Sequence, residues 1–432
     1  MLVYLGWGIL LFRPDWWLES LGIGGLARVS LLCTGAVALV LVFKPSQRDL
    51  HWPLLYFLVF TGGTLPFSYN IAYTRDVLNQ MVVYSVLALG AISLLRSVHD
   101  AKPLIVMVCL AQFGWFQLFG ALSGQVRWHG ALANYDGYGP FMAMGIGLSS
   151  YFGMATANRR VRLLAFGIAG LCFAGVVASF ARGAVLTAVV VIGWVWLRSP
   201  YKGRTSAAIV VGLIVTLITA QILSDQARGG NRNSPQGFWA EMSTLADGAE
   251  VGTVSDRVEL VRAAWAVVKD RPLIGAGAGS FGVAAATILR PGDIGGDSGV
   301  NPRRLYDRAL HNTHLQVLSE QGVLGACLYV WLFVDFWRRN RALRSEPYRQ
   351  AWSGMAGSTL DLRFLSFALE TGMVGFVTGG LFYNQLYFVP WLWSLLTANA
   401  TLHAIITRSF AAVPLEPRAL ATVPLERWWV RP

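Results

Sequence analysis

The stretch His311–Trp337, HNTHLQVLSEQGVLGACLYVWLFVDFW, decides how the rest of the chain is read. It opens on polar, imidazole-bearing residues and runs straight into an apolar segment suited to a membrane. Taken as one continuous helix, its 100° step puts His311, Leu318, Gly322 and Gly325 on one face. Two glycines on that face let a second helix approach closely just below the histidine. His311 then sits at the membrane surface, where an imidazole titrating near neutral pH can act as a general base. A capping or interfacial histidine is the plainer use of the same residue. What weighs against it is the company His311 keeps elsewhere in the chain.

Working outward, 55% of the 432 residues are hydrophobic and only 13% are charged. That composition, with a mean hydropathy of +0.50, belongs to an all-α polytopic membrane protein and excludes a water-soluble domain. Seventeen Trp and fourteen Tyr suit aromatic belts at two interfaces. The formal charge of +12 is spread over short loops between apolar runs, so it argues for orientation signals and against nucleic-acid binding. Cys33, Cys109, Cys172 and Cys327 all lie inside apolar runs and read as small core residues, not a disulfide or metal framework. The N-terminal MLVYLGWGILLFRP lacks a basic n-region and a cleavage site, and reads as a short first span or an anchor.

Apolar runs fall at 1–12, 26–43, 53–68, 77–95, 104–123, 137–156, 161–179, 184–198, 206–223, 313–336, 362–380 and 385–406, giving about 12 transmembrane helices. One set of alternate loops carries fifteen Lys and Arg, among them Arg159, Arg160, Arg162, Arg198, Lys202, Arg204 and Arg338; the other carries five. The bias predicts cytoplasmic termini. The domain order is then 1–223 for helices 1 to 9, 224–312 for an exported loop domain with short helices, 313–406 for helices 10 to 12, and 407–432 for a cytoplasmic tail.

Within 224–312, Asp256–Asp270 reads as an amphipathic helix with Val258, Leu260, Val261, Ala264, Trp265, Val267 and Val268 on one arc. Arg257 falls inside that arc, and Ser255 is a candidate N-cap. An arginine beside free backbone amides makes a phosphate site; snorkelling to interfacial lipid is the alternative. Arg182, in SFARGA, is the only charge in a long apolar stretch and is a candidate on the same face. Arg127, His129, Asn134 and Asp136 in RWHGALANYDGYG could bind a sugar or phosphate, or cap the next helix. GAGAGSF (275–281) follows a helix and lacks a Walker lysine, so it reads as a turn where backbones meet closely. No HExxH, paired CxxC or close carboxylate pair is present, so no metal or cofactor is expected. Arg182, Arg257 and His311 thus fall on one exported face. Two arginines suit a diphosphate, and a histidine suits activation of a hydroxyl.

The chain at this point resembles the O-antigen ligase and polymerase superfamily of bacterial membrane glycosyltransferases. His311-Asn312, nine residues, then Gly322 and Gly325 is similar to the family's His-Asn/Ser/Gln…Gly-x-x-Gly pattern. Residues 255–281, SDRVELVRAAWAVVKDRPLIGAGAGSF, resemble its arginine helix ending in Pro-Leu-x-Gly-x-Gly, and SFARGA its Ser-x-x-Arg-Gly segment. RWHGALANYDGYG loosely resembles its Arg-x-x-Gly…Asn-x-Asn element, with Asp136 where a second Asn is common; Val261 stands where Trp is usual. The resemblance implies a GT-C-like fold and metal-independent, inverting transfer from undecaprenyl diphosphate to an acceptor hydroxyl. His311 would be the general base, and Arg182 and Arg257 would hold the diphosphate. Arg127, Asn134, Asn312 and His314 are further candidates for contacting substrate. The expected acceptor is lipid A-core, with a growing polymer or a protein as the alternatives. A lipid-linked glycan transporter is the rival from another class.

Overall fold

The computed structural model describes residues 1–14, 26–44, 49–122, 135–228, 252–290, 293, 302–306 and 308–412. The candidates Arg127, Asn134 and His129 lie outside the described residues, as does the tail from 413. Among those described, the chain is all-helical and has no strand; Thr156 and Leu360 form one isolated antiparallel bridge. Among the described residues an α-helix stands at each of the twelve apolar runs, two of them sharing the run 104–123, and three further α-helices lie between the runs.

In chain order these are α1 (Leu2–Phe12), α2 (Leu26–Phe43), α3 (Trp52–Thr64), α4 (Ile71–Leu94) and α5 (Val98–Val106). A π turn at Met107–Ala111 carries α5 into α6 (Gln112–Leu122). Then come α7 (Tyr135–Ala155), α8 (Arg159–Ala178), α9 (Arg182–Arg198), α10 (Lys202–Arg228), α11 (Gly252–Asp270) and α12 (Phe281–Ile288). The last are α13 (Thr313–Leu343), α14 (Glu346–Gly354), α15 (Leu362–Gly379) and α16 (Trp391–Ala412). Among the described residues five segments are long and apolar enough to cross a membrane: Ile71–Leu94, Val98–Leu118, Arg159–Ala178, Lys202–Ile222 and Thr313–Leu343.

The core is one large cluster through the bundle, with Trp7, Tyr84, Phe113, Phe141 and Trp393 fully enclosed. The centre of the packing is α7, flanked by α8, α9 and α15. Its small residues let those neighbours close in: a Cβ on Gly145 would strike Phe113 and Cys172. A second cluster joins Leu260, Ala263, Ala264 and Val267 of α11 to Phe281, Ala284 and Ala285 of α12, and to Leu305 and Leu310. The expected apolar arc of α11 therefore splits. Leu260, Ala264, Val267 and Val268 are buried, whereas Val258, Val261 and Trp265 are exposed. Of the cysteines, Cys33, Cys109 and Cys172 are buried, but Cys327 is exposed and is not a core residue. An apolar run in a membrane helix has an outward face that apolarity alone does not mark.

At the end of the bundle away from His311, Glu370 of α15 is fully buried. Its Oε1 accepts from Arg198 Nε at 2.9 Å and from Trp194 Nε1 at 3.0 Å, and Oε2 pairs with Arg344. One carboxylate thus ties α9 and α13 to α15. A buried charge is tolerated here because both its oxygens are met by cations.

Candidate functional site

The sequence leads one to expect an unbroken helix from His311 through Gly325, and the structure corrects this twice. First, His311 precedes the helix: α13 starts at Thr313, capped by Asn312, whose Oδ1 accepts from Leu315 N at 2.9 Å. Second, the helix breaks at Gly322, where φ is 64° and ψ is −170°, a region essentially restricted to glycine. His311 and the two glycines therefore do not form one helical face.

What enters at the break is the glycine loop of residues 271–280, not a second helix. The Ser319 and Glu320 carbonyls, left without helical partners, accept from Ala276 N at 3.1 Å and Gly277 N at 2.8 Å. On the other side, Val323 N donates to Pro272 O at 2.8 Å and Leu324 N to Leu273 O at 3.2 Å. The loop can follow this path because Gly275, Gly277 and Gly279 all take positive φ. A Cβ on Gly322 would lie 2.6 Å from Ile274 N and closer still to the Leu273 carbonyl. Two motifs that read separately in sequence are therefore one construction. Gly325 does admit a helix, since its Cα faces the Phe60 ring of α3. The break packs against the end of α3, where Thr61 Oγ1 donates to Gln321 Oε1 at 3.1 Å.

Glu320 completes the join. It is 1% exposed, and its carboxylate accepts from Gly279 N at 2.8 Å and Phe281 N at 3.2 Å. The same loop is held from the other side by Thr74 Oγ1, which donates to Ala278 O at 2.8 Å, and by the Ser280 hydroxyl, 2.8 Å from that of Ser68.

Above the break, the segment joining α15 to α16 cradles the His-Asn-Thr turn. Asn312 N donates to Asn384 Oδ1 at 3.0 Å, Thr313 N to Gly380 O at 2.6 Å, and Thr313 Oγ1 to Tyr383 O at 2.7 Å. His311 is held at φ 54°, one of three non-glycine residues in the left-handed region among those described. Another is Phe180, at φ 53°, which turns the chain so that α9 can start at Arg182. Such backbone costs of order 1–3 kcal/mol and persists where surrounding structure fixes it. The start of α9 meets the same cradle: a Cβ on Gly183 would lie 2.5 Å from Phe382 Cβ. Gly137 of α7 likewise faces the Tyr383 ring. The structure thus brings the chain neighbours of Arg182 and His311, namely Gly183 and Asn312–Thr313, against one short segment, residues 380–385.

Beside His311 opens a pocket of about 330 Å³, lined by Asn70, Tyr73, Gln316, Glu320, Asn384 and Tyr387 among others. Leu310 and Arg308 form its rim next to the histidine. Aromatic faces mixed with amides and hydroxyls can stack on sugar rings and hydrogen-bond their hydroxyls. Sequence reasoning passed over Glu320, Asn384 and the α15–α16 segment. A lone Glu in a helical stretch carries no motif, and GLFYNQL (380–386) carries no periodic signal.

The remaining candidates fare differently. Arg257 is exposed near the start of α11 and makes no hydrogen bond or ion pair with described residues. It shares its helix with Leu260, which packs in the cluster that contains Leu310. The helix begins at Gly252, so Ser255 is not its cap; a capping preference of about 1 kcal/mol does not by itself fix a start. The side chain of Asn312 is used in capping α13. His314 turns into the bundle, with Nε2 2.9 Å from Val377 O and Nδ1 3.3 Å from Tyr329 Oη, so both ring nitrogens are engaged by the protein.

The long apolar helices mark a multi-pass helical membrane protein, with the His311–Thr313 turn at one end of its bundle. A family model described as O-Antigen ligase matches residues 167–330, which include Arg182, Arg257, His311, Gly322 and Gly325. That match supports a place for the chain in the O-antigen ligase and polymerase superfamily and, with it, a glycosyltransferase-like activity. No curated protein matches the chain.

Proposed function

We propose that this protein is an O-antigen ligase, moving a glycan from undecaprenyl diphosphate to a hydroxyl of lipid A-core at the periplasmic face of the inner membrane. The observation that carries the reading is the shared cradle at 380–385, which holds Asn312 and Thr313 next to His311 and receives Gly183 next to Arg182. The acceptor hydroxyl attacks the anomeric carbon from the face opposite the diphosphate. His311 takes the hydroxyl proton as the new glycosidic bond forms and the carbon–oxygen bond to phosphate breaks. Arg182, with Arg257 reaching in from α11, stabilises the charge gathering on the leaving diphosphate. The pocket next to His311 accepts the acceptor sugars. No metal or cofactor takes part in this scheme.

The orientation has its own support. The helices α7 and α9 each start at the cradle, and their other ends lead to Arg159, Arg160, Lys202 and Arg204 in the first turns of α8 and α10. The positive-inside bias then puts the site in the periplasm, with twelve crossings and a loop domain between α10 and α13. A transporter would have its broken helix and ionisable site near the bilayer midplane. Here the break packs against the end of α3.

The test is transfer by purified protein from lipid-linked glycan to lipid A-core. His311→Ala is expected to abolish transfer and to leave donor binding intact; full activity in that variant refutes the base assignment. Arg257→Lys is expected to be impaired, because a point charge cannot reproduce the guanidinium fork. In cells lacking the gene, uncapped lipid A-core with polymer accumulating on the carrier supports the ligase. Cores capped by single repeats make the protein a polymerase, and normal lipopolysaccharide points to a protein acceptor.

A further inference from the structure

We propose that the cavity at the end of the bundle away from His311, enclosed by α7, α8, α9 and α10, is a binding site for an anionic phospholipid. The cavity holds about 400 Å³. On α7 its lining begins at Ile146, nine residues and about 14 Å along the helix from Gly137 at the cradle. Phe166, Phe173, Ile192 and Ile209 make its walls, and Arg162 and Arg204 stand among the polar residues of its lining.

The two guanidinium groups are placed and available. Arg162 is held by Thr156 O, which accepts from Nε at 3.2 Å and Nη2 at 2.8 Å. The Arg204 guanidinium carbon lies 5.6 Å from the Tyr201 ring centre. Among the described residues neither has a carboxylate partner, unlike Arg198 and Arg344, which are both spent on Glu370. The outer wall is also unusual. Only 17% of the apolar window of Lys202–Ile222 is buried, so α10 stands off the bundle with its flanks towards lipid. An apolar slot opening to the bilayer, with two unpaired arginines beside it at the basic end of the helices, matches a phosphate headgroup above acyl chains. A phosphate-headed isoprenoid has the same chemistry, but the glycan donor must reach His311 at the opposite end.

The test is native mass spectrometry of the purified full-length chain titrated with phosphatidylglycerol, phosphatidylcholine or undecaprenyl phosphate. Phosphatidylglycerol is expected to be retained at least ten-fold better than phosphatidylcholine. The double variant Arg162→Gln/Arg204→Gln is expected to lose that preference while keeping its helical circular dichroism. A second variant, Ala208→Trp, fills the slot without touching either charge and is expected to displace the lipid. Equal retention of the two phospholipids, or wild-type retention in both variants, overturns the proposal. Stronger retention of undecaprenyl phosphate than of phosphatidylglycerol overturns the assignment to a phospholipid.

Discussion

Replacing Gly322 by alanine tests whether the break in α13 is as central as its geometry implies. Alanine at φ 64°, ψ −170° costs about 1–3 kcal/mol in backbone strain alone. Its Cβ would also sit 2.6 Å from Ile274 N, against backbone that cannot rotate away. Relief requires the 271–280 loop to withdraw, which gives up the hydrogen bonds from Val323 N and Leu324 N, each worth about 1 kcal/mol. The sum is about 3–5 kcal/mol. Thermal unfolding in detergent, followed by size-exclusion fluorescence, should show a large fall in the midpoint, and glycan transfer should be lost with it. Gly193→Ala on α9 is the control: nothing lies within 4 Å of its Cβ position, and alanine favours the helix by up to about 1 kcal/mol. A Gly322→Ala protein that melts and transfers like wild type would show that the glycine loop is not locked into the helix.

Three other substitutions probe separate parts of the structure. Glu320→Gln can satisfy only one of the Gly279 and Phe281 amides and should cost about 1.5–3 kcal/mol of stability, read as a lowered melting midpoint. Arg344→Met should cost about 3–5 kcal/mol by leaving the buried Glu370 half-compensated, and adding Glu370→Gln should restore most of that loss in a double-mutant cycle. Asn384→Ala removes the acceptor that fixes the backbone beside His311; transfer should fall about ten- to a hundred-fold while the melting midpoint moves little.

The helices were legible because apolar runs bounded by charges and glycines mark them, and each run is helical. The site was legible only as a set of motifs. Gly322 and Gly325 have a spacing that fits both a close helix pair and a break, and nothing in the letters separates the two. The difference lies in 271–280, whose glycines make sense only against the opened backbone of α13. His311 looked like the first residue of that helix, yet Asn312 caps it and leaves the histidine outside. His314 looked available, but its partners Val377 and Tyr329 are distant in sequence. Asn384 and Glu320 gave no signal because their roles depend on contacts made across the fold.

The broken helix also bears on how the protein is made. Buried backbone amides and carbonyls are costly until those groups are matched. The segment that matches them, 271–280, precedes α13 in the chain. The ribosome therefore delivers the splint before the bone it sets, and the last quarter of the bundle can be inserted against a partner already in place.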